Sequence, residues 1–461
     1  MPENENENKL DRIAAGVNAW HQSKYNIFAP IPGTNQFVGI NLLHGTCATY
    51  SKAELYLLSE VEFLHEGHPV MERFVRDGFA VNYDELQALD CIGKLSTTAP
   101  NSICIGISPT MGCNFDCPYC FLEHWNSRMT EEVQDDVIGL AERMLDASNV
   151  KQLRIRWFGG EPLLAPDIIE SLSKRLMKLA EERGAEYKAW MYTNGYLLTQ
   201  EIADMLGECK VDRLVITVDG LEKTHNATRP LAGGGPTFER IISNLRDLKL
   251  PFRVDVRQNL HAENIAESGE LRKLVEDIAE ESGNRLNFVR MTVKFSNIVR
   301  SAPDVKRLTD EEYLKLDTER IAEDFGPSTG IYCDAGNIWS VGVNSEGRLF
   351  RCWEKQDDKK YSFGSAKTWN PRNPIRTADQ PDLFTAFINN AVSTDKKECR
   401  ECRWLPLCLG TCPFYRMETG EKCIPWKDNS DEYVLAVYRV MLKRAKEKEE
   451  KDEQGLERGN C

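Results

Sequence analysis

From Ser102 onward the chain repeats one alternation of hydrophobic and polar positions. Short apolar or β-branched runs are followed by longer stretches with apolar residues three and four apart. The short runs are SICIGIS, QLRIRWF, YKAWMY, DRLVITV, FRVDVRQ and RLNFVRMTV, each with the length and composition of a strand. Glu131 to Asp146, Ile168 to Glu182 and Phe238 to Leu248 carry helical periodicity between them. Six strand units with helical connections predict an α/β fold whose sheet is mainly parallel. Cys104 lies on the first strand, as a core residue would.

The flanks read differently. From about residue 20 to 95, β-like NQFVGINLL alternates with helix-like SKAELYLLSEVEFL and HPVMERFVRDGF, predicting a small α+β module. A turn-rich, cysteine-rich region runs from about Ile331 to Trp426, and TDEEYLKL ahead of it pairs Thr309 with Glu312 as a capping box. A linking helix is expected there. The segment SDEYVLAVYRVMLKRAKEKEEKDEQGLERGNC begins as an amphipathic helix and ends as a charged run, predicting a solvated, frayed tail. The expected divisions are residues 1–98, 99–310, 311–430 and 431–461.

Composition narrows the class. The 461 residues are 41% hydrophobic and 28% charged, as in ordinary globular proteins. No window approaches the apolar run of about 18 residues that a membrane helix needs, and MPENENENKLDRIAAGVNAW lacks the basic start and apolar core of a signal peptide. A cytoplasmic protein, off the membrane, is the expectation. A formal net charge of −14 argues against a nucleic-acid partner. Fifteen cysteines are an odd number and, with no export signal, a poor disulfide framework, so metal or cluster ligation leads. Ten fall into two spaced groups; Cys47, Cys91, Cys104, Cys209 and Cys461 lie outside both and mostly read as buried small hydrophobes.

The first group, in MGCNFDCPYCFLEHW, is Cys113, Cys117 and Cys120. Soft thiolates suit iron, and a four-iron cluster normally takes one cysteine per iron, so three leave one iron open to a small molecule. A zinc site completed by His124 is the alternative. The loop follows the first strand, at the end where barrel-type folds carry chemistry. The second strand ends in WFGGEPLL, which puts Gly159, Gly160 and Glu161 on the same rim. Glycines there admit close backbone approach, and Glu161 can accept from an ammonium group.

C-x3-C-x2-C with an aromatic at Tyr119, followed by GGEP, resembles the radical S-adenosylmethionine (radical SAM) enzymes. The resemblance implies a partial (β/α)6 TIM-type barrel and a cluster whose open iron is chelated by SAM, the GGE turn holding the amino group. It also implies reductive SAM cleavage to a 5′-deoxyadenosyl radical that abstracts substrate hydrogen. Thr193 and Asn194 end the third strand, Asp219, His225 and Arg229 the fourth, and Arg257 and Asn259 the fifth. Thr193, Asn194, Asp219 and Arg257 are then candidates for SAM contacts, whereas His225 reads as a structural loop residue. No residue is singled out as a catalytic acid or base.

The second group holds seven cysteines, spaced C-x13-G-x4-C, then C-x2-C-x5-C-x3-C, then C. Seven thiolates do not divide into two tetrahedral zinc sites. The whole pattern resembles the SPASM extension of radical SAM enzymes, which implies two auxiliary four-iron clusters. By motif position Cys333, Cys352 and Cys412 would hold the nearer, and Cys399, Cys402, Cys408 and Cys423 the outer. The implied cofactors are therefore three 4Fe-4S clusters and SAM, with a reductant such as flavodoxin or ferredoxin.

SPASM enzymes mostly modify peptides, and the N-terminal pattern is similar to winged-helix-like leader-binding domains that take a leader peptide as an added strand. The expected activity is maturation of a ribosomally made precursor peptide through an intramolecular thioether or carbon–carbon crosslink. An anaerobic sulfatase-maturating, formylglycine-forming enzyme is the alternative. That family places an aspartate after the G-x4-C cysteine, where this chain has Trp353 and Glu354. A non-catalytic cluster or zinc protein is the third reading, for which the GGEP turn has no use.

Overall fold

The computed structural model describes residues 19–65, 67–98, 102–292, 308–309, 312, 322, 325–328, 333–390, 396–419 and 423–458. At the N-terminal end, strand β1 (His21–Gln22) is followed by an antiparallel sheet of β2 (Asn26–Pro30), β3 (Gln36–Asn41) and β4 (Thr46–Ser51), with β3 central. β5 (Ala80–Val81) returns to pair with β1. Helix Lys52–Ser59 starts where β4 stops because Ser51 caps it: its hydroxyl accepts the Glu54 N–H, and Glu54 accepts the Ser51 N–H. Helix Pro69–Arg76 opens on a proline at its first turn. Tyr50, Leu58, Met71, Phe74 and Phe79 form the core between these elements.

The six expected strands are all present, as β6 (Ile103–Ile107), β7 (Gln152–Trp157), β8 (Glu186–Thr193), β9 (Val211–Thr217), β10 (Arg253–Leu260) and β11 (Leu286–Thr292). Each is parallel to its neighbour in that order. The connections carry helices, among them Glu131–Ala147, Pro166–Glu182, Phe238–Asp247 and Ser268–Ser282. Leu153, Ile155 and Trp157 of β7 pack with Ala189, Met191, Leu214 and Ile216 against Val137, Leu140, Leu172 and Leu176 of the helices. Alternation along each strand sends Arg154, Arg156, Trp190, Tyr192, Val215 and Thr217 to the opposite face. One face of the sheet is therefore core, and the other lines the site.

The cysteine-rich region begins inside this sheet. β12 (Ser340–Val343) pairs parallel with β6, followed antiparallel by β13 (Arg348–Phe350) and β14 (Ser362–Ser365). It covers the β6 edge that six strands alone would leave open. Helix Ser430–Arg458 turns back on the N-terminal sheet, placing Tyr433, Val434 and Val437 in one cluster with Tyr25, Ile27, Val38 and Ile40. The charged run expected to fray continues this helix to Arg458; the i,i+4 pair Lys443–Glu447, at 4.0 Å, is of the kind that supports a solvated helix.

Thr309 and Glu312 do exchange the capping-box hydrogen bonds, while most of the expected linking helix, like Cys461, lies outside the described residues. Of the cysteines outside both groups, Cys104 and Cys209 are buried, Cys47 is half-buried and Cys91 is exposed. No helix among the described residues is long and apolar enough to cross a membrane.

Candidate functional site

An open-mouthed cavity lies at the C-terminal ends of β7 to β10. The loop after β6 supplies Cys113, Cys117 and Cys120, and the turn after β7 supplies Gly159, Gly160 and Glu161. Thr193, Asn194, Thr217, Arg229, Arg257 and Asn259 come from the later strands and their loops. Phe121 stacks on Phe158, and Phe158 meets Tyr192 edge-on at 5.7 Å, which makes one wall aromatic.

The double glycine is required by contact. Gly159 has φ +114°, and a Cβ there would lie 2.4 Å from the Thr110 carbonyl oxygen; one on Gly160 would lie 2.1 Å from that of Gly112. The turn thus rests on the backbone leading into Cys113, fixed by the Glu161 N–H donating to Gly112 at 2.8 Å. The buried Glu161 carboxylate accepts from Leu163 N–H at 2.9 Å, the Thr193 hydroxyl at 2.7 Å and Asn194 N–H at 2.7 Å. It ties the end of β8 to the turn. Burial raises its pKa, opposed by those hydrogen bonds and by Arg229.

Asp219 does not line the cavity; it sits behind it. One carboxylate oxygen accepts the Tyr119 phenol and the other accepts Asn259 N–H at 3.1 Å. Tyr119 in turn accepts from Arg229 at 2.7 Å. Asp219 therefore orients Tyr119 and Arg229 instead of presenting a free oxygen to a ligand. His225 is fully buried and accepts the Asp219 N–H through Nδ1; burial, then Arg229, lowers its pKa to about 3. Arg257 donates to the Thr217 hydroxyl at 3.0 Å, and its Nε is buried without a partner, as is Asn259 Oδ1.

Burial pushes the Cys113 thiol up to about 12 and Cys117 up to about 11, with Arg229 pulling the latter down; Cys120 is also raised, chiefly by burial. His124 Nε2 lies 3.5 Å from the Cys120 sulfur. Among the described residues no three Cys, His, Asp or Glu side chains converge on a single ion position. Three half-buried thiols beside a cation, a glycine cradle and unpartnered buried polar atoms fit an iron–sulfur cluster carrying a polar ligand.

The seven later cysteines fall into two spatial sets. Cys333, Cys352 and Cys412 pack together against Ala335, Phe387 and Phe414 and interact electrostatically. Cys408 interacts with Cys399, Cys402 and Cys423. Burial raises Cys333 to about 11 and Cys408 to about 12. Beside the inner set stands Arg351, fully buried, its guanidinium donating to Ala335 and Ser340 carbonyls at 2.7–3.0 Å and also to Asn337. Among the described residues no carboxylate lies within ion-pair distance of it. Cys333 and Asp334 interact with it electrostatically; a buried cation is costly unless compensated, and an anionic group on these thiols would add to that compensation. The site thus fits a cluster. Spacing alone did not flag Arg351 or Arg156, whose roles arise from packing between distant segments.

Comparison with known proteins accords with this geometry. The Radical SAM superfamily model matches residues 107–256, from the end of β6 into β10. The AdoMet-dependent heme synthase of Methanosarcina barkeri is 32% identical over 186 residues, covering 38% of this chain and 48% of that protein, about half its length. The serine-type anaerobic sulfatase-maturating enzyme of Bacteroides thetaiotaomicron is 28% identical over 354 residues, covering 67% and 82%. The solved structure of native anSMEcpe with bound AdoMet and Cp18Cys peptide shares the fold, with a TM-score of 0.54 at 19% identity over 75% of this chain and 99% of that one. Residues 107–256, the span that builds the cavity, are a radical SAM domain, and the chain has peptide-maturase-like relatives.

Proposed function

We propose that the protein is a radical SAM peptide maturase that takes hydrogen from a residue of a precursor peptide and closes an intramolecular thioether or carbon–carbon crosslink. Cys113, Cys117 and Cys120 would hold the SAM-binding cluster. Gly159, Gly160, Glu161, Thr193, Asn194 and Arg257 would surround SAM, with Asp219 acting through Tyr119 and Arg229. Cys333, Cys352 and Cys412, and Cys399, Cys402, Cys408 and Cys423, would hold two auxiliary clusters. When bound, the first cluster and SAM supply one-electron cleavage and a primary-carbon radical able to abstract hydrogen.

The chain's own residues shape the chamber. Phe121, Phe158 and Tyr192 wall it with aromatic surface that excludes water. Arg229, oriented by Tyr119, keeps a positive charge beside Cys117 and favours its thiolate. Arg257 and Asn259 offer an N–H donor and a carbonyl acceptor whose partners a polar ligand would provide. At the N-terminal end, β2 and β4 are the edges of a three-stranded sheet, which supports strand addition by a leader peptide.

The observation that carries the crosslinking reading is the position after Cys352. There Trp353 stacks on Arg156 at 4.6 Å, so the place of a formylglycine-forming base is filled by an indole. The formylglycine reading keeps its own support from the sulfatase-maturating relative, which matches over two-thirds of the chain. Anaerobically reconstituted protein with SAM, a flavodoxin- or ferredoxin-type reductant and a candidate precursor peptide separates the two by mass spectrometry. Crosslinking predicts loss of two hydrogens per modification, matched by 5′-deoxyadenosine, without a free carbonyl. A carbonyl-reactive product would establish formylglycine-type oxidation instead, and intact clusters without 5′-deoxyadenosine would sink both.

A further inference from the structure

Arg156 stands on the cavity face of β7, below the lining of the chamber. Its guanidinium lies 4.4 Å from the centre of the Trp190 ring and 4.6 Å from that of Trp353, and pairs with Asp334 at 2.5 Å. Trp353 directly follows Cys352 and Asp334 directly follows Cys333. One side chain of the parallel sheet therefore grips two of the three segments that carry inner cysteines. The fit is tight: a Cβ on Gly106 would meet the Trp353 ring at 3.1 Å, and one on Gly342 would meet it at 3.2 Å. Arg156 Nε and Trp353 Nε1 are both buried without hydrogen-bond partners, so the stack is held by ring faces and charge.

We propose that Arg156 is a positioning residue that sets the placement and the reduction potential of the group held by Cys333, Cys352 and Cys412. The inference rests on the reading that these cysteines hold an iron–sulfur cluster. Its sign follows from charge. A cluster gains negative charge on reduction, and the Asp334 carboxylate adjoins one of its ligands. Arg156 cancels that carboxylate. Without the cation, reduction becomes harder; without the carboxylate, the remaining guanidinium makes it easier.

The test uses the full chain reconstituted anaerobically with iron and sulfide and titrated potentiometrically with EPR detection. The inner signal is the one that Cys412→Ala removes. Arg156→Gln should move its midpoint to more negative potential and Asp334→Asn to more positive potential, with the double variant near the parent. Arg156→Lys, which keeps the charge but not the planar stack, should shift less than Arg156→Gln. If Arg156→Gln also loses inner iron, Asp334→Asn still carries the test of sign. Unchanged midpoints with the inner signal intact would overturn the proposal alone. An inner set that binds no iron in the parent chain would overturn the cluster reading and this inference with it.

Discussion

At the scale of single residues, Glu161 and His225 show how burial converts local hydrogen bonding into stability. Glu161→Ala would leave the Leu163, Thr193 and Asn194 donors without their acceptor. That should cost roughly 2–4 kcal/mol of unfolding free energy and weaken SAM binding, read by denaturant titration and by equilibrium binding. His225 has a folded-state pKa of about 3 against an ordinary 6.5. Between those values the unfolded chain takes up a proton that the folded chain refuses. Stability should therefore fall as pH drops below 6.5, by up to about 1.4 kcal/mol per unit from this residue, and be unaffected by it above 6.5. His225→Asn should flatten the urea midpoint between those limits; an unchanged slope would mean that other groups set it. Glu161 was legible from GGEP, because a glycine pair before a carboxylate marks a tight turn. Arg156 was less so. Its signal is a charge alternating with apolar residues in QLRIRWF, which places it on the non-core face but says nothing of the indoles that meet it.

At the scale of elements, the six parallel strands were readable because each carries its own apolar run, and local pattern suffices for strands buried on one face or both. The two-residue β1 and β5 were not, since their pairing joins residues about 60 apart and has no pattern of its own. The placement of β12 beside β6 escaped for the same reason. The turn after β7 is where one element depends most sharply on another. Gly160→Ala would drive a methyl to 2.1 Å from the Gly112 carbonyl, and backbone must yield because neither group can rotate away. The segment that must move leads directly into Cys113. The expected outcome is loss of the SAM-dependent cluster signal with most secondary structure retained, read by EPR and far-ultraviolet circular dichroism. Retention of both would show that the loop tolerates the shift.

At the scale of the molecule, the two later cysteine sets belong to different cores. The inner set packs with Ala335, Phe387 and Phe414. The outer set adjoins Trp404 and Leu405 in the cluster that also holds Tyr25 and Val38 of the N-terminal sheet and Tyr433 and Val437 of the final helix. The SPASM resemblance implied which cysteines go together, but not that the outer ones lie where the N-terminal sheet and the final helix meet; that depends on the return of the last helix. The consequence is an asymmetry between two otherwise similar substitutions. If the two sets hold the proposed auxiliary clusters, Cys412→Ala and Cys408→Ala should each lower iron content from about twelve to about eight per chain, because each would disable one four-iron site. Cys408→Ala should also loosen the packing that holds the N-terminal sheet and final helix, so its melting temperature should fall further and protease should cut the N-terminal module sooner. Metal-linked folding energy is lost in both, but only in the second is it lost from the core joining the two ends. Equal melting temperatures at equal iron loss would mean that the outer set is a local staple and that the ends are held together by Tyr25, Val38, Tyr433 and Val437 without it.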